Sequence, residues 1–318
     1  MKITTTLILC CLLAVSAYAQ DERARNGRIE VSGAIQWERM ELSAAVKLNL
    51  TAAGIRMPTG RSQAEELIRV EYASLMRPYI LAIPVDSSTI LADLIDRGEL
   101  SFLEPEAIAA SARRIPPALS RDLVFLQESY TIDLSAISAQ LMRHNRPREM
   151  RRILTPTPAA SYSGIVIIAN EELPIHGRYT RAFVEPCLFP KVWDTEMDLI
   201  YERNVLDPEL TRKTLVHYAP EAAIFQATPS GLTPELAAVV GDNPLRIIAR
   251  GVFGIRPTDL IIDKDDALVI LSSEVNRQLL REGKVAIVLS DRVLRDELDP
   301  ATVQTDGRPV SIQTPPAP

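Results

Sequence analysis

Residues 241–290 read GDNPLRIIAR-GVFGIRPTDL-IIDKDDALVI-LSSEVNRQLL-REGKVAIVLS. Their succession of turns, apolar runs and one helical period decides how the second half of the chain is read. Gly241-Asp242-Asn243-Pro244 is a turn. Leu245 to Val252 is a strand-like run, Pro257-Thr258-Asp259 turns the chain again, and Leu260 to Ile262 is a second strand. Asp263 supplies an N-cap, and Asp265 and Asp266 favour the positive end of the helix dipole. Leu268, Leu271, Val275 and Leu279 then step by three and four residues, which predicts the packed face of one helix. Gly283 ends it, and Lys284 to Leu289 carries the strand pattern Val285, Ile287, Leu289. This strand–helix–strand unit predicts the structural centre of an α/β domain over 162–298.

Upstream, Tyr162 to Ala169 contains the apolar run Ile165-Val166-Ile167-Ile168, the pattern of a strand buried on both faces. Phe183 to Val192 is at best a strand pair broken by prolines, and Asp198 to Tyr201 is a short strand. Asp207-Pro208-Glu209 and Thr233-Pro234-Glu235 are helix starts, each with a capping side chain followed by proline at N1. Before them comes a basic stretch, Arg143 to Arg152, followed by Thr155-Pro156-Thr157-Pro158. Charge followed by alternating proline predicts a linker over 143–161. Downstream, 299–318 is polar and proline-rich and reads as a disordered tail.

The first half, 20–142, reads as a separate α+β domain: a strand pair, helices, then a strand. Ile29, Val31, Gly33, Ile35 and Trp37 alternate with polar residues, and Met40, Leu42, Ala44, Val46, Leu48 and Leu50 do so in shifted parity. A tight turn between the runs lets both apolar sets face one core. Ser62-Gln63-Ala64-Glu65 has the form of a capping box, and the helix it opens ends at Pro78. Tyr79 to Val85 reads as a short strand, Thr89 to Arg97 as a helix closed by Gly98, and Glu104 to Arg114 as a helix stopped by Pro116-Pro117. Leu123 to Leu134 returns to strand character.

The 318 residues exceed the usual single-domain size, and a 47% hydrophobic composition is ample for a core. A net charge of −6 makes no global case for nucleic acid. The N-terminus predicts export: Lys2, the apolar run Leu7 to Val15, and the small-x-small site Ala17-Tyr18-Ala19 form a signal peptide over 1–19. Its removal takes away one cation and no acid, leaving −7. Cys10 and Cys11 raise a lipoprotein alternative, which the large residue before Cys10 disfavours. No later run is apolar enough to anchor the mature chain. Only Cys187 then remains, within an apolar run, so no internal disulfide forms and a buried structural thiol is expected.

The pattern predicts no catalytic, cofactor or metal site. His144, His176 and His217 are far apart and lack zinc spacing. Asp263-Lys264-Asp265-Asp266 places Leu268 where an EF-hand loop needs glycine, so helix capping is the better reading. Gly251-Val252-Phe253-Gly254 is no phosphate loop, and there is no G-x-S-x-G elbow. Asp194, Glu196 and Asp198 have strand spacing and read as a solvated edge. Trp37 and Trp193 read as core or interface. The arginines are either a solvated linker or a contact for an acidic partner, with Arg146, Arg148, Arg151 and Arg152 as candidates. The turn from Asn170 to Tyr179 supplies the other candidates, Asn170, Glu171, His176 and Arg178.

The order Tyr162-Ser163-Gly164-Ile165-Val166-Ile167, Pro186-Cys187-Leu188-Phe189-Pro190, Gly241-Asp242-Asn243-Pro244-Leu245, Pro257-Thr258-Asp259-Leu260-Ile261-Ile262, Asp265-Asp266-Ala267 and Gly283 to Leu289 resembles the C-terminal part of the FlgT-like/LPP lipoprotein group of exported bacterial proteins. Many relatives carry an aspartate-x-arginine-glycine turn after the first strand; here Ala169-Asn170-Glu171-Glu172 stands there. The resemblance implies a periplasmic or outer-membrane-associated protein, with some members accessory to the flagellar basal body, and it implies no catalysis. The expected function is therefore non-enzymatic contact with envelope or flagellar proteins. A periplasmic module for an anionic ligand is the alternative, and an exported hydrolase the third reading.

Overall fold

A computed structural model describes residues 28–151, 153, 159–209 and 214–298. The signal peptide with Cys10 and Cys11, Arg152, the prolines at 156 and 158, and the 299–318 tail lie outside the described residues. The chain has an α+β fold, and its two compact units interleave along the sequence. The smaller takes residues up to Gly33, Ser43–Arg77 and Pro105–Ile132; the larger takes Ala34–Leu42, Pro78–Glu104 and everything from Asp133 on.

In the smaller unit, β1 (Ile29–Gln36), β2 (Glu41–Asn49), β4 (Phe125–Asp133) and β3 (Arg113–Leu119) lie side by side in that order. Period-two alternation on β2 buries Leu42, Ala44, Val46 and Leu48 on one face. Helix α1 (Arg61–Leu81) places Tyr72 on Tyr130 of β4, with rings stacked 3.6 Å apart at 14°. The capping box does not form. The helix begins at Arg61, and Glu65 accepts from the Arg61 guanidinium at 2.9 Å instead of reaching back to the backbone. Pro78 does not end the helix, and no strand forms over 79–85. Tyr72, Met76, Tyr79 and Ile80 continue one buried stripe through the proline. That burial outweighs the roughly 3 kcal/mol cost of an interior proline.

After α2 (Leu91–Asp96), helix α3 (Glu104–Ala110) stops short, and Pro116-Pro117 fall inside β3. This too departs from the predicted helix. β3 is the last strand of its sheet, where a missing N–H is tolerated, and a register shift between Ile115 and Ala118 absorbs both prolines. Beside it Glu128 is buried; it accepts from the Arg114 guanidinium and, at 2.8 Å, from the Tyr130 hydroxyl.

In the larger unit, β10 (His217–Pro220), β14 (Val285–Leu289), β5 (Ile165–Ala169) and β11 (Leu245–Ile248) form a parallel sheet in that order. β14 is buried throughout and β5 nearly so, because helices cover the faces of a parallel sheet. Val166, Val288, Leu236 and Val240 share one cluster with Ile224. Helix α4 (Leu134–Leu141), capped by Asp133, is not predicted, whereas α5 (Pro234–Val240) is capped by Thr233 with Pro234 at its start, as the sequence predicts. Asp207 Oδ1 accepts the Glu209 N–H at 3.0 Å, and the helix predicted to start there runs into 210–213, outside the described residues.

A second sheet runs β12 (Gly251–Phe253), β13 (Asp259–Ile262), β8 (Val192–Asp194), β9 (Leu199–Tyr201), and β6 (Leu173–Pro174) pairs with β7 (Arg181–Ala182). The predicted strand Leu245 to Val252 is therefore two strands in two sheets. Ala249 N–H bonds the Ile168 carbonyl while Arg250 N–H bonds that of Ile261, so the chain changes sheets between them. The predicted single helix is also two, α6 (Lys264–Ser272) and α7 (Glu274–Arg281), because Ser273 is extended and caps the second. Val275 consequently faces solvent instead of the core. The strand–helix–strand unit joins the second sheet to the first: β13 lies in one and β14 in the other. The last described elements are α8 (Asp291–Leu294) and β15 (Arg295–Leu298).

Candidate functional site

The basic stretch and the acids after β8 come together in the larger unit. Asp194 ends β8 at 4% exposure, and its Oδ1 accepts the N–H groups of Glu196 and Asp198, both at 2.9 Å. Met197 takes a left-handed conformation (φ 64°), which closes the loop between β8 and β9. The three acids thus share a hairpin loop; Glu196 and Asp198 are exposed, as the solvated reading expects, while Asp194 is buried. Glu196 pairs with Lys264 of α6 at 2.5 Å, Asp198 with Arg151 at 2.6 Å, and Glu202 with Arg148 at 2.7 Å. The bond to Glu196 holds the Lys264 ammonium above its ordinary range. Arg148 also donates its backbone N–H to the Asn204 carbonyl at 2.6 Å. The acidic partner of these arginines is thus within their own unit. Arg146 is exposed. The charged groups rim a cleft of about 590 Å³ whose apolar wall includes Leu199, Ile200, Leu268 and Leu271.

The second group of predicted residues lies on the β6–β7 hairpin and does not line this cleft. Asn170 is half-buried and Glu171 exposed where the chain leaves β5. His176 donates its N–H to the Val252 carbonyl at 2.8 Å, which ties the turn to β12. Its ring meets the Phe253 ring edge-on at 5.9 Å, and Trp193 meets the same ring at 5.8 Å. Around this file of rings, Tyr179 is fully exposed, Arg178 is exposed, and Ile255 is 73% exposed. Arg181 donates to the Glu172 carbonyl and braces the hairpin.

Sequence reasoning placed Asp259 at a turn and missed its role. Its carboxylate is 1% exposed. It accepts from Thr258 Oγ1 (3.1 Å), the Lys191 N–H (3.2 Å), Trp193 Nε1 (3.3 Å) and Ser87 Oγ (3.3 Å). Burial raises its carboxyl above the usual range, and the Lys191 and Trp193 donors oppose that rise. The available signal was a carboxylate directly before a wholly apolar strand, which must find donors. Cys187 is buried, and burial raises its thiol far above the ordinary value. Its backbone is held from both sides by the Tyr218 hydroxyl, which accepts its N–H at 3.1 Å and donates to its carbonyl at 2.9 Å. Among the described residues no group of three or more histidines, cysteines or acids has metal-binding geometry, and no helix is long and apolar enough to cross a membrane.

Both halves of the chain match domains of one treponemal protein. Residues 28–140 match the N-terminal domain of Treponema pallidum Tp0624, and residues 164–291 match its second domain. No curated protein matches the chain. The Tp0624 second-domain match takes in the parallel sheet, the ring file, Asp259 and the acids Asp194, Glu196, Asp198 and Glu202. Arg148 and Arg151 fall between the two Tp0624 matches, so one side of the cleft comes from the connecting stretch. The Tp0624 domains bear a different name from the FlgT-like/LPP group that the motif order resembles.

Proposed function

We propose that this protein is a non-enzymatic, exported component of the bacterial envelope, periplasmic or outer-membrane-associated, that works by contact with other proteins. Flagellar or outer-membrane assembly is the setting that the motif resemblance implies. The observation that carries the reading is the surface around the β6–β7 hairpin. There the His176–Phe253–Trp193 ring file adjoins segments that expose Tyr179, Arg178 and Ile255. Aromatic and arginine side chains dominate the energetics of protein contacts, and a monomer gains nothing from leaving large apolar groups in water.

The test is crosslinked capture from envelope fractions with the wild-type chain and with a Tyr179→Glu/Ile255→Glu variant. The reading expects partners held by the wild type to be lost from the variant while its circular dichroism is unchanged. An identical capture profile for both chains would refute the surface. A deletion strain with normal motility and normal envelope fractionation would refute the flagellar or outer-membrane setting.

A further inference from the structure

We infer that a small hollow in the larger unit binds a tetrahedral oxyanion of phosphate's size. The hollow holds about 70 Å³ between the end of α4 and the turn after β9, and Arg143, His144, Arg203, Asn204 and Glu99 give it its polar lining. Both guanidiniums are held in place without being neutralised. Arg143 donates to the Glu99 carbonyl. Arg203 lies over the ring of the buried Phe189, 5.4 Å from its centroid, a contact that orders the guanidinium and leaves its N–H groups unspent. Among the described residues neither has a carboxylate within ion-pair distance, whereas Arg148 and Arg151, a few residues along the same stretch, are each matched to one. The internal residues outside the described ones, 152, 154–158 and 210–213, contain no aspartate or glutamate that could supply it. The anion contact that the basic stretch predicts is thereby placed on Arg143, upstream of the candidates from Arg146 to Arg152.

The backbone acceptors around the hollow are already used. The Leu94 carbonyl takes the Glu99 and Leu100 N–H groups at 2.8 and 3.1 Å, the Asn204 carbonyl takes the Arg148 N–H at 2.6 Å, and the Leu206 carbonyl takes His144 Nε2 at 2.8 Å. What remains for a ligand is donor chemistry: the unused N–H groups of two guanidiniums and the Asn204 amide. Glu99 is exposed and brings the one carboxylate of the lining, so two cations stand against one anion. Guanidinium forks match the paired oxygens of phosphate or sulfate, and charge-assisted bonds of this kind are about twice as strong as neutral ones. About 70 Å³ accommodates a few waters or one such ion, far below the roughly 300 Å³ at which sites for larger ligands begin. A phosphate monoester fits only with its phosphoryl group inside and its substituent outside.

The probes are inorganic sulfate, inorganic phosphate and glycerol 3-phosphate, each titrated calorimetrically into the protein at pH 7 and low salt. Saturable one-to-one binding of sulfate and phosphate is expected, and it should weaken as salt rises. Glycerol 3-phosphate binding as tightly as phosphate assigns the site to a phosphoryl group on a larger ligand; binding at least about tenfold weaker assigns it to the free ion. Arg143→Gln and Arg203→Gln should each weaken sulfate binding about tenfold, because each removes a charged donor fork. Arg146→Gln, an exposed change in the same stretch but outside the hollow, should leave it within about twofold. Glu99→Gln removes the one lining carboxylate and should tighten binding about twofold or more, a gain that loss of fold cannot mimic. No saturable binding of any probe up to about 10 mM, equal weakening by Arg146→Gln and Arg203→Gln, or no tightening in Glu99→Gln would overturn the inference.

Discussion

Asp259 offers the sharpest test of how the larger unit is held together. Substitution by alanine removes the acceptor for four donors at 3.1–3.3 Å. The Ser87 and Thr258 hydroxyls can rotate towards other acceptors. The Lys191 N–H and the Trp193 indole N–H are fixed by β8 and by ring packing, and each fixed donor left buried costs about 1–3 kcal/mol. Part of that loss is offset by removing a carboxylate whose charge burial already penalises. Asp259→Ala should therefore destabilise by about 2–4 kcal/mol. Asp259→Asn keeps one oxygen and misdirects an amide at Trp193 or Lys191, for about half that loss. Urea unfolding followed by circular dichroism reads both. The pH dependence has a definite sign. The folded carboxyl is raised, so the cost of its charge is present above the folded pKa and is relieved as pH falls through it towards the ordinary value near about 4. The wild type should gain stability relative to Asp259→Asn on acidification through that window. A cost below about 1 kcal/mol for Asp259→Ala, or a difference that narrows on acidification, would refute the network.

Three further outcomes follow from particular contacts. Glu128→Ala should cost about 1–3 kcal/mol in urea unfolding, because it strands the buried Tyr130 hydroxyl while the exposed Arg114 turns to water; a loss within about 0.5 kcal/mol would show that solvent satisfies the hydroxyl too. Gly164→Ala drives a Cβ into the Val240 backbone where β5 passes α5, and should cost about 3 kcal/mol or more; a neutral result would mean that the helix end moves aside. Burial holds the His217 imidazole below its usual range, so the unfolded chain takes up the proton first. Stability should fall as pH drops through about 6.5, and His217→Gln should remove that slope between about pH 7 and 5.

The α+β character of the chain was legible because it rests on local periodicity. Leu42, Ala44, Val46 and Leu48 face the core as their alternation predicts, and the unbroken apolar runs of β5 and β14 form the middle of a parallel sheet. Thr233-Pro234 starts a helix because its capping chemistry involves only neighbouring residues. The failures share another cause. Pro78 and Pro116-Pro117 end helices by local rules, yet one is carried by a buried stripe and the others by an edge strand with an irregular register. Leu245 to Val252 looks like one strand because local pattern does not encode which sheet a residue joins. The candidate site was half legible: Arg148 and Arg151 and the acids after β8 were each visible, but not that they meet.

By itself, then, the sequence determined element types, buried faces and helix starts, all set by side chains within a few residues of one another. Only the tertiary structure decided the pairing of charges at the cleft and the worth of Asp259. Arg151 reaches Asp198 across 47 residues and Ser87 reaches Asp259 across 172. Electrostatic and hydrogen-bond energies depend on distance and burial in space, and neither quantity exists before the chain has folded.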